Sequence, residues 1–164
     1  MKSRSSRRPF RVGRSKTGLG LFATKLIKRG SFIIEYWGRR INNAEADELE
    51  TKYMFELNKR WTIDGSPRRN IARYINHACK PNAETDVVKG KILITATRTI
   101  YPGDEITYHY GRGYFDTFIK PMGCGCPACV EKRREERAHA RRLKLRREKR
   151  QARAKKLART RKKS

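Results

Sequence analysis

No stretch of this 164-residue chain is apolar over the roughly 20 residues that a membrane-spanning helix requires, so no membrane partner is expected. The basic N-terminus is not followed by an apolar h-region, and it does not read as a secretory signal. Acidic residues are scarce: 16 against 42 lysines and arginines, giving a net charge of +26. Cysteine is scarce too, and three of the four, Cys124, Cys126 and Cys129, fall within six residues, with Cys79 apart. That clustering suits a metal better than two disulfides, and a reducing compartment fits it. From Glu131 onward there is neither glycine nor proline, and no internal repeat interrupts the chain. What remains is room for one modest domain with extensions.

The charge is unevenly placed. Residues 1–16 hold seven basic residues and no acid, and residues 131–164 hold 18 basic and four acidic residues. The stretch between is close to balanced, with 17 basic and 12 acidic residues. A near-ordinary domain therefore sits between two cationic arms. Such arms attract polyanions (DNA, RNA or an acidic protein) through counterion release with little sequence specificity. The C-terminal arm is rich in Ala, Leu, Arg, Lys and Glu, which favours helix. Its leucines keep no heptad, so coiled-coil pairing is not expected. The reading is a solvated arm, helical or disordered, that orders on an anionic partner.

Within the central stretch, Phe10 to Thr24 reads as strand, glycine turn and strand. Ser31 to Gly38 is β-branched and aromatic, a buried strand ended by glycine. Asn42 or Asn43 can cap a helix running to about Asn58, with Ala44, Ala46, Leu49, Tyr53 and Leu57 on one face. Trp61 to Asp64 and Lys91 to Thr97 read as strands, and Glu105 to Tyr110 follows a Pro-Gly-Asp turn. The expected class is mainly β: many short strands with one mid-chain helix.

Four strings then carry the chemistry. Arg73-Tyr74-Ile75-Asn76-His77-Ala78-Cys79-Lys80-Pro81-Asn82 resembles the RFINHSCxPN signature of the SET-domain protein-lysine methyltransferases. Lys16 to Ala23 (KTGLGLFA) looks like that family's cofactor loop, and Gly30 to Gly38 like its G-x-x-I-x-E-Y-x-G strand. Gly103 to Gly111 (GDEITYHYG) looks like its GEELTFDYG segment. The four stand in the family's order over about residues 10–130. The resemblance implies a β-clip of short curved sheets with a threaded C-terminal segment, a topology that periodicity alone would not suggest. It divides the chain into a basic arm (1–9), the SET domain (10–111), a post-SET zinc segment (112–130) and a basic tail (131–164). The lack of a cysteine-rich segment ahead of the domain suits a small bacterial member of the family.

The implied cofactor is S-adenosylmethionine and the implied substrate a lysine side chain of a protein. Methyl transfer is an in-line displacement, so nucleophile and methyl must be held aligned near contact distance. Gly18 and Gly20, flanking Leu19, would let backbone approach a ligand closely. By resemblance, Gly18, Leu19, Gly20, Tyr53, Asn76 and His77 touch the cofactor. Lysine, with a pKa near 10.4, is a poor nucleophile at neutral pH. An aromatic channel favours its neutral form by desolvation and accommodates cations on π faces. Tyr110 takes the family's catalytic tyrosine, and Tyr36 the channel wall. Tyr108 takes its Phe/Tyr switch, where a hydroxyl leaves less room for a second methyl, so monomethylation is expected. His109 stands where the family commonly has Asp.

In the same family three post-SET cysteines join the NHxC cysteine around one zinc, which here means Cys79, Cys124, Cys126 and Cys129. Four thiolates make a closed structural site, although the last interval is C-x2-C where the family usually has C-x4-C. Two other classes fit parts of the sequence: a non-catalytic, basic, zinc-containing nucleic-acid-binding protein, and a catalytically silent SET adaptor. The expected enzyme is a monomer. It would be nuclear and chromatin-bound in a eukaryote, and cytoplasmic or nucleoid-associated in a bacterium.

Overall fold

The computed structural model describes residues 8–49 and 51–161, the last seven by their backbone only. Lys2, Arg4 and Arg7 of the N-terminal arm and the last three residues of the tail lie outside the described residues. The chain divides into two units, one ending at Gly125 and the other starting at Cys126.

The first unit is mainly β, as the sequence implies, and consists of three small sheets. Strands β1 (Phe10–Ser15) and β2 (Gly18–Ala23) form a hairpin whose register closes at Ser15 opposite Gly18. Strand β10 (Glu105–Tyr108) pairs antiparallel with β2 on one edge and parallel with the short β7 (Asn76–His77) on the other. The second sheet has the order β3-β9-β8, from Phe32–Tyr36, Lys91–Ala96 and Ala83–Val88. In β9 the alternation read from the sequence sends Ile92, Ile94 and Ala96 into the core. The third sheet has β6 (Trp61–Asp64) between β4 (Arg39–Asn42) and β5 (Met54–Glu56).

The expected helix to Asn58 is a correction. Helix α1 spans only Asn43–Glu48, and Asn42 caps it, its Oδ1 accepting from Glu45 N at 2.8 Å. Leu49 is already extended, and Met54-Phe55-Glu56 pairs with β6 instead of continuing the helix. Ala44 and Leu49, placed on the expected apolar face, are exposed. The β-propensity of Tyr53 and Phe55, together with a partner strand, outweighs a weak helical period. Strands β4, β5, β7 and β8 were not expected as such. Nor was the short α2 (Arg112–Tyr114), which runs on into a π-helical turn over Phe115–Ile119.

The core gathers Leu21, Ile75, Ile92, Ile94, Ile100 and Ile106, all at 1% exposure or less. Two asparagines are buried among them with their amides satisfied, as a buried polar group requires. Asn70 Nδ2 donates to Gly65 O at 3.1 Å. Asn82 Nδ2 donates to Glu105 O at 2.8 Å, and its Oδ1 accepts from Thr107 N at 2.9 Å, so one side chain straps the backbone of β10.

The second unit holds α3 (Pro127–Arg161), which realises the helical preference of the tail. Glu131, Glu135 and Glu136 stand near its N-terminus and basic residues dominate thereafter, the order that the helix dipole favours. Every described side chain from 134 to 154 is exposed.

Replacing Asn82 with Leu would take this partner from a carbonyl and an N–H of half-buried residues in β10, at a cost on the order of 1–3 kcal/mol. The expected result is a lower urea midpoint with an unchanged slope; an unshifted midpoint would show that the strap contributes nothing.

Candidate active site

A cleft of about 860 Å³ opens in the first unit, and segments far apart in sequence line it. Thr17, Gly18 and Leu19 come from the β1–β2 hairpin, Tyr36 from the end of β3, and Tyr53 to Glu56 from the start of β5. Arg73, Tyr74 and Asn76 come from the 3-10 turn Ile71–Tyr74 and β7; Tyr108 to Gly111 continue from β10. Of the nine catalytic and cofactor residues expected from sequence, the structure brings seven to this cleft. Gly20 and His77 stand behind its wall.

On the hairpin side, Gly18 has φ +119°, a backbone conformation that side-chain-bearing residues rarely adopt, and a Cβ there would meet nothing within 4 Å. Open space in front of strained backbone is what close approach of a ligand needs. Gly20 has a different reason: a Cβ on it would run into the Glu105 carboxylate.

On the opposite side the rings form a continuous aromatic run. Tyr36 packs on Phe55 at 5.6 Å between centroids, Phe55 on Tyr108 at 6.4 Å and Tyr108 on Tyr110 at 5.0 Å. Tyr114 continues it 5.3 Å from Tyr110, and Phe118 lies 4.9 Å beyond. Two hydroxyls are committed to backbone: Tyr36 Oη donates to Tyr53 O and Tyr110 Oη to Ile75 O, both at 2.7 Å. Donating its proton leaves the Tyr110 oxygen with lone pairs alone to offer. Burial raises the pKa of Tyr36, Tyr108, Tyr110 and Tyr114 above the ordinary phenol value. For Tyr36 the Arg73 guanidinium partly offsets this.

Arg73 itself was not singled out from sequence, although it begins the Asn-His string. Its guanidinium stacks 3.8 Å from the Tyr53 ring centroid, and its Nε is buried without a hydrogen-bond partner among the described residues. Arg73 lines the cleft, so its guanidinium brings positive charge to that wall. Tyr114 and Phe118 were missed too, though aromatics at 110, 114 and 118 keep a four-residue spacing that could have flagged them.

His77 serves the framework. Its Nδ1 accepts from Tyr110 N at 3.2 Å, and a backbone N–H can only donate, so the neutral ring carries its proton on Nε2. That nitrogen faces Cys79 Sγ at 3.4 Å. Burial, reinforced by His109, pushes the His77 pKa down to about 4, which keeps the ring neutral. His109 lies edge-on to it at 4.7 Å.

Within the first unit, the sulfurs of Cys79 and Cys124 lie 3.9 Å apart, well beyond a covalent S–S bond of about 2.05 Å. Cys126 and Cys129 open the second unit, where Val130 N donates to Cys126 O at 3.0 Å in the first turn of α3. Only Gly125 separates Cys124 from Cys126, so the chain itself keeps their α-carbons within about 7 Å.

The family described as the SET domain matches residues 18–111. The chain is 38% identical over 133 residues to histone-lysine N-methyltransferase trr of Drosophila melanogaster, covering 72% of this chain and 5% of that protein. It is 38% identical over 125 residues to histone-lysine N-methyltransferase 2D of Homo sapiens, covering 68% and 2%. With the H3 lysine-4 specific histone-lysine N-methyltransferase of Schizosaccharomyces pombe it shares 35% identity over 142 residues, covering 79% and 15%. The chain thus spans a small part of the length of the curated relatives it matches. Among solved structures, a chain of the Chaetomium thermophilum polycomb repressive complex 2 aligns with TM-score 0.59 and 30% identity. That alignment covers 64% of this chain and 15% of the other.

Because the fold favours the neutral phenol of the four raised tyrosines, their contribution to stability is intact below pH 10 and is lost as pH climbs through the raised values. Alkaline absorbance titration is expected to show Tyr36, Tyr108, Tyr110 and Tyr114 resisting ionisation near pH 10 for as long as the protein stays folded. All seven tyrosines ionising together near pH 10 in folded protein would contradict this.

Proposed function

The chain belongs to the SET-domain family, and on that premise we propose that it is an S-adenosylmethionine-dependent methyltransferase acting on lysine side chains of a protein. The observation that carries the proposal is the cleft itself, with open glycine backbone on one side and a run of buried tyrosines on the other. S-adenosylmethionine, when bound, supplies an electrophilic methyl on a sulfonium. Gly18, Leu19, Tyr53 and Asn76 would hold it, and the Arg73 guanidinium brings positive charge to the wall that an anionic end of the molecule would meet.

The chain's own residues then have distinct tasks. The faces of Tyr36, Phe55 and Tyr108 strip water from the lysine stem and tolerate its cation on the way in. Desolvation lowers the lysine pKa, so the amine gives up its proton to solvent and presents a lone pair. The Tyr110 oxygen, its proton donated to Ile75 O, turns lone pairs toward the partial positive charge of the reacting centre. Tyr108, ringed by Phe55 and Tyr110, fills space beside the amine, which supports mainly monomethyl-lysine as product.

The relatives' names specify histone lysines, which supports a chromatin protein as substrate and a nuclear address in a eukaryote. In a bacterium the corresponding place would be the nucleoid or the cytoplasm. The enzyme would act as a monomer. The exposed basic face of α3 supports recruitment to nucleic acid by its charge. A structural zinc held by Cys79, Cys124, Cys126 and Cys129 is also part of the reading. Four thiolates are the donor set that zinc takes in closed sites, and the Nε2–H of His77 facing Cys79 would stabilise a thiolate there.

With labelled S-adenosylmethionine and a lysate, wild-type protein is expected to label a protein band and Tyr110→Phe to label it roughly 100-fold more slowly. Equal rates would remove Tyr110 from its role. Mass spectrometry should find mainly monomethyl-lysine, with Tyr108→Phe shifting product toward higher states; abundant trimethyl-lysine from wild type would refute the Tyr108 assignment. Metal analysis is expected to find about one zinc per chain, lost in Cys124→Ser. Zinc-free folded protein would exclude the metal. Removing residues 131–164 should abolish salt-sensitive duplex binding while leaving methylation of a free peptide intact, and unchanged duplex binding would exclude the arm.

A further inference from the structure

We infer that Glu105 is a positioning residue that clamps the glycine hairpin to Asn76 and so presets the cofactor side of the cleft. The inference rests on the functional reading above for what the cleft binds, and on geometry alone for the clamp. Glu105 opens β10, where it lies opposite Phe22 of β2, while Thr107 two residues on lies opposite Asn76 of β7. Its carboxylate accepts on both oxygens. Ser15 Oγ donates to Oε2 at 2.8 Å across 90 residues of sequence, and Asn76 Nδ2 donates to Oε1 at 2.7 Å.

The same Nδ2 also donates to Leu19 O at 3.0 Å. Both partners of that amide nitrogen are acceptors only, so the Asn76 amide has a single orientation that serves them. Ser15 and Leu19 flank the hairpin turn, and Gly18 lies between them with its positive φ. One carboxylate therefore ties the β1 limb of the hairpin tip to β7, and through Asn76 the β2 limb as well. Gly20 belongs to the same device, because any side chain there would displace the carboxylate. Thr17, Gly18, Leu19 and Asn76 line the cleft while Glu105 stands behind them. It acts through those residues rather than by touching a ligand.

Chemistry separates the clamp from simple packing. Glutamine keeps the shape and one oxygen for Asn76, and its amide can donate to Ser15 Oγ, since a hydroxyl also accepts. Glu105→Gln is therefore expected to behave like wild type. Glu105→Ala leaves Ser15 Oγ without this acceptor and Asn76 Nδ2 with Leu19 O alone, and should weaken S-adenosylmethionine binding by roughly tenfold or more, raising KM for the cofactor while changing kcat by less than about threefold. Gly20→Ala should mimic that loss in wild type and add nothing in the Glu105→Ala background, because the two changes break one contact.

Hydrogen–deuterium exchange at residues 15–19 provides a readout that needs no cofactor and also serves if Glu105→Ala folds poorly, since Gly20→Ala reports the same contact. Faster exchange at 15–19 in both variants, with Glu105→Gln protected, supports the clamp even if wild type fails to bind S-adenosylmethionine, an outcome that would overturn the proposed function alone. Unchanged exchange in Glu105→Ala, or additive losses in the double variant, would overturn the clamp.

Discussion

Strand β10 is hydrogen-bonded along both edges, antiparallel to β2 and parallel to β7, and Asn82 holds its backbone at two more points. A strand fixed in this way cannot slip by one residue without breaking two ladders and turning each side chain to the other face. Tyr108 is its last residue and Tyr110 lies two beyond, so the register of β10 decides where both rings stand. The attachment continues past the strand's end, since Ala78 N donates to Tyr108 O and Tyr110 N to His77 Nδ1. Glu105 extends the same control in the other direction, to the hairpin. The two walls of the cleft are thus referred to one short segment.

The polar groups of the site cross-brace it. Tyr36 and Tyr110 could each have pointed a hydroxyl into the cleft with its proton available, and each instead bonds a carbonyl of another segment, Tyr53 O or Ile75 O. These bonds fix the ring planes, and Gly65 leaves the space that the Tyr36 ring fills. A pocket whose walls are locked before a ligand arrives loses little order on binding, which suits chemistry that depends on alignment.

Much of this was legible in the sequence because it resides in local strings. The hairpin glycines, the Asn-His-x-Cys run and the Tyr108-His109-Tyr110 end of β10 carry residue types that few other contexts call for together. The helix from Asn43 was misread in length, since Ala44, Ala46 and Leu49 imitate a helical period. What ends α1 is a sheet partner, β6, that the local pattern does not reveal. Glu105 was read as one letter of a string, and its task depends on Ser15, 90 residues away. Arg73 over Tyr53 is likewise a contact between segments, and no spacing rule predicts it. His77 and Gly20 kept their place in the motif, but the structure gives them framework surroundings behind the cleft.

The long helix α3 has a further consequence. Residues 137–161 hold thirteen basic residues and one acid, a net +12. At a rise of about 1.5 Å per residue this is roughly one charge every 3 Å, close to the spacing along a single strand of nucleic acid. Such a rod is a polyelectrolyte in its own right and gathers an atmosphere of small anions even in dilute buffer. Its helicity is thereby tied to ionic strength: dilution of salt strains the rod through self-repulsion, and added anions relax it.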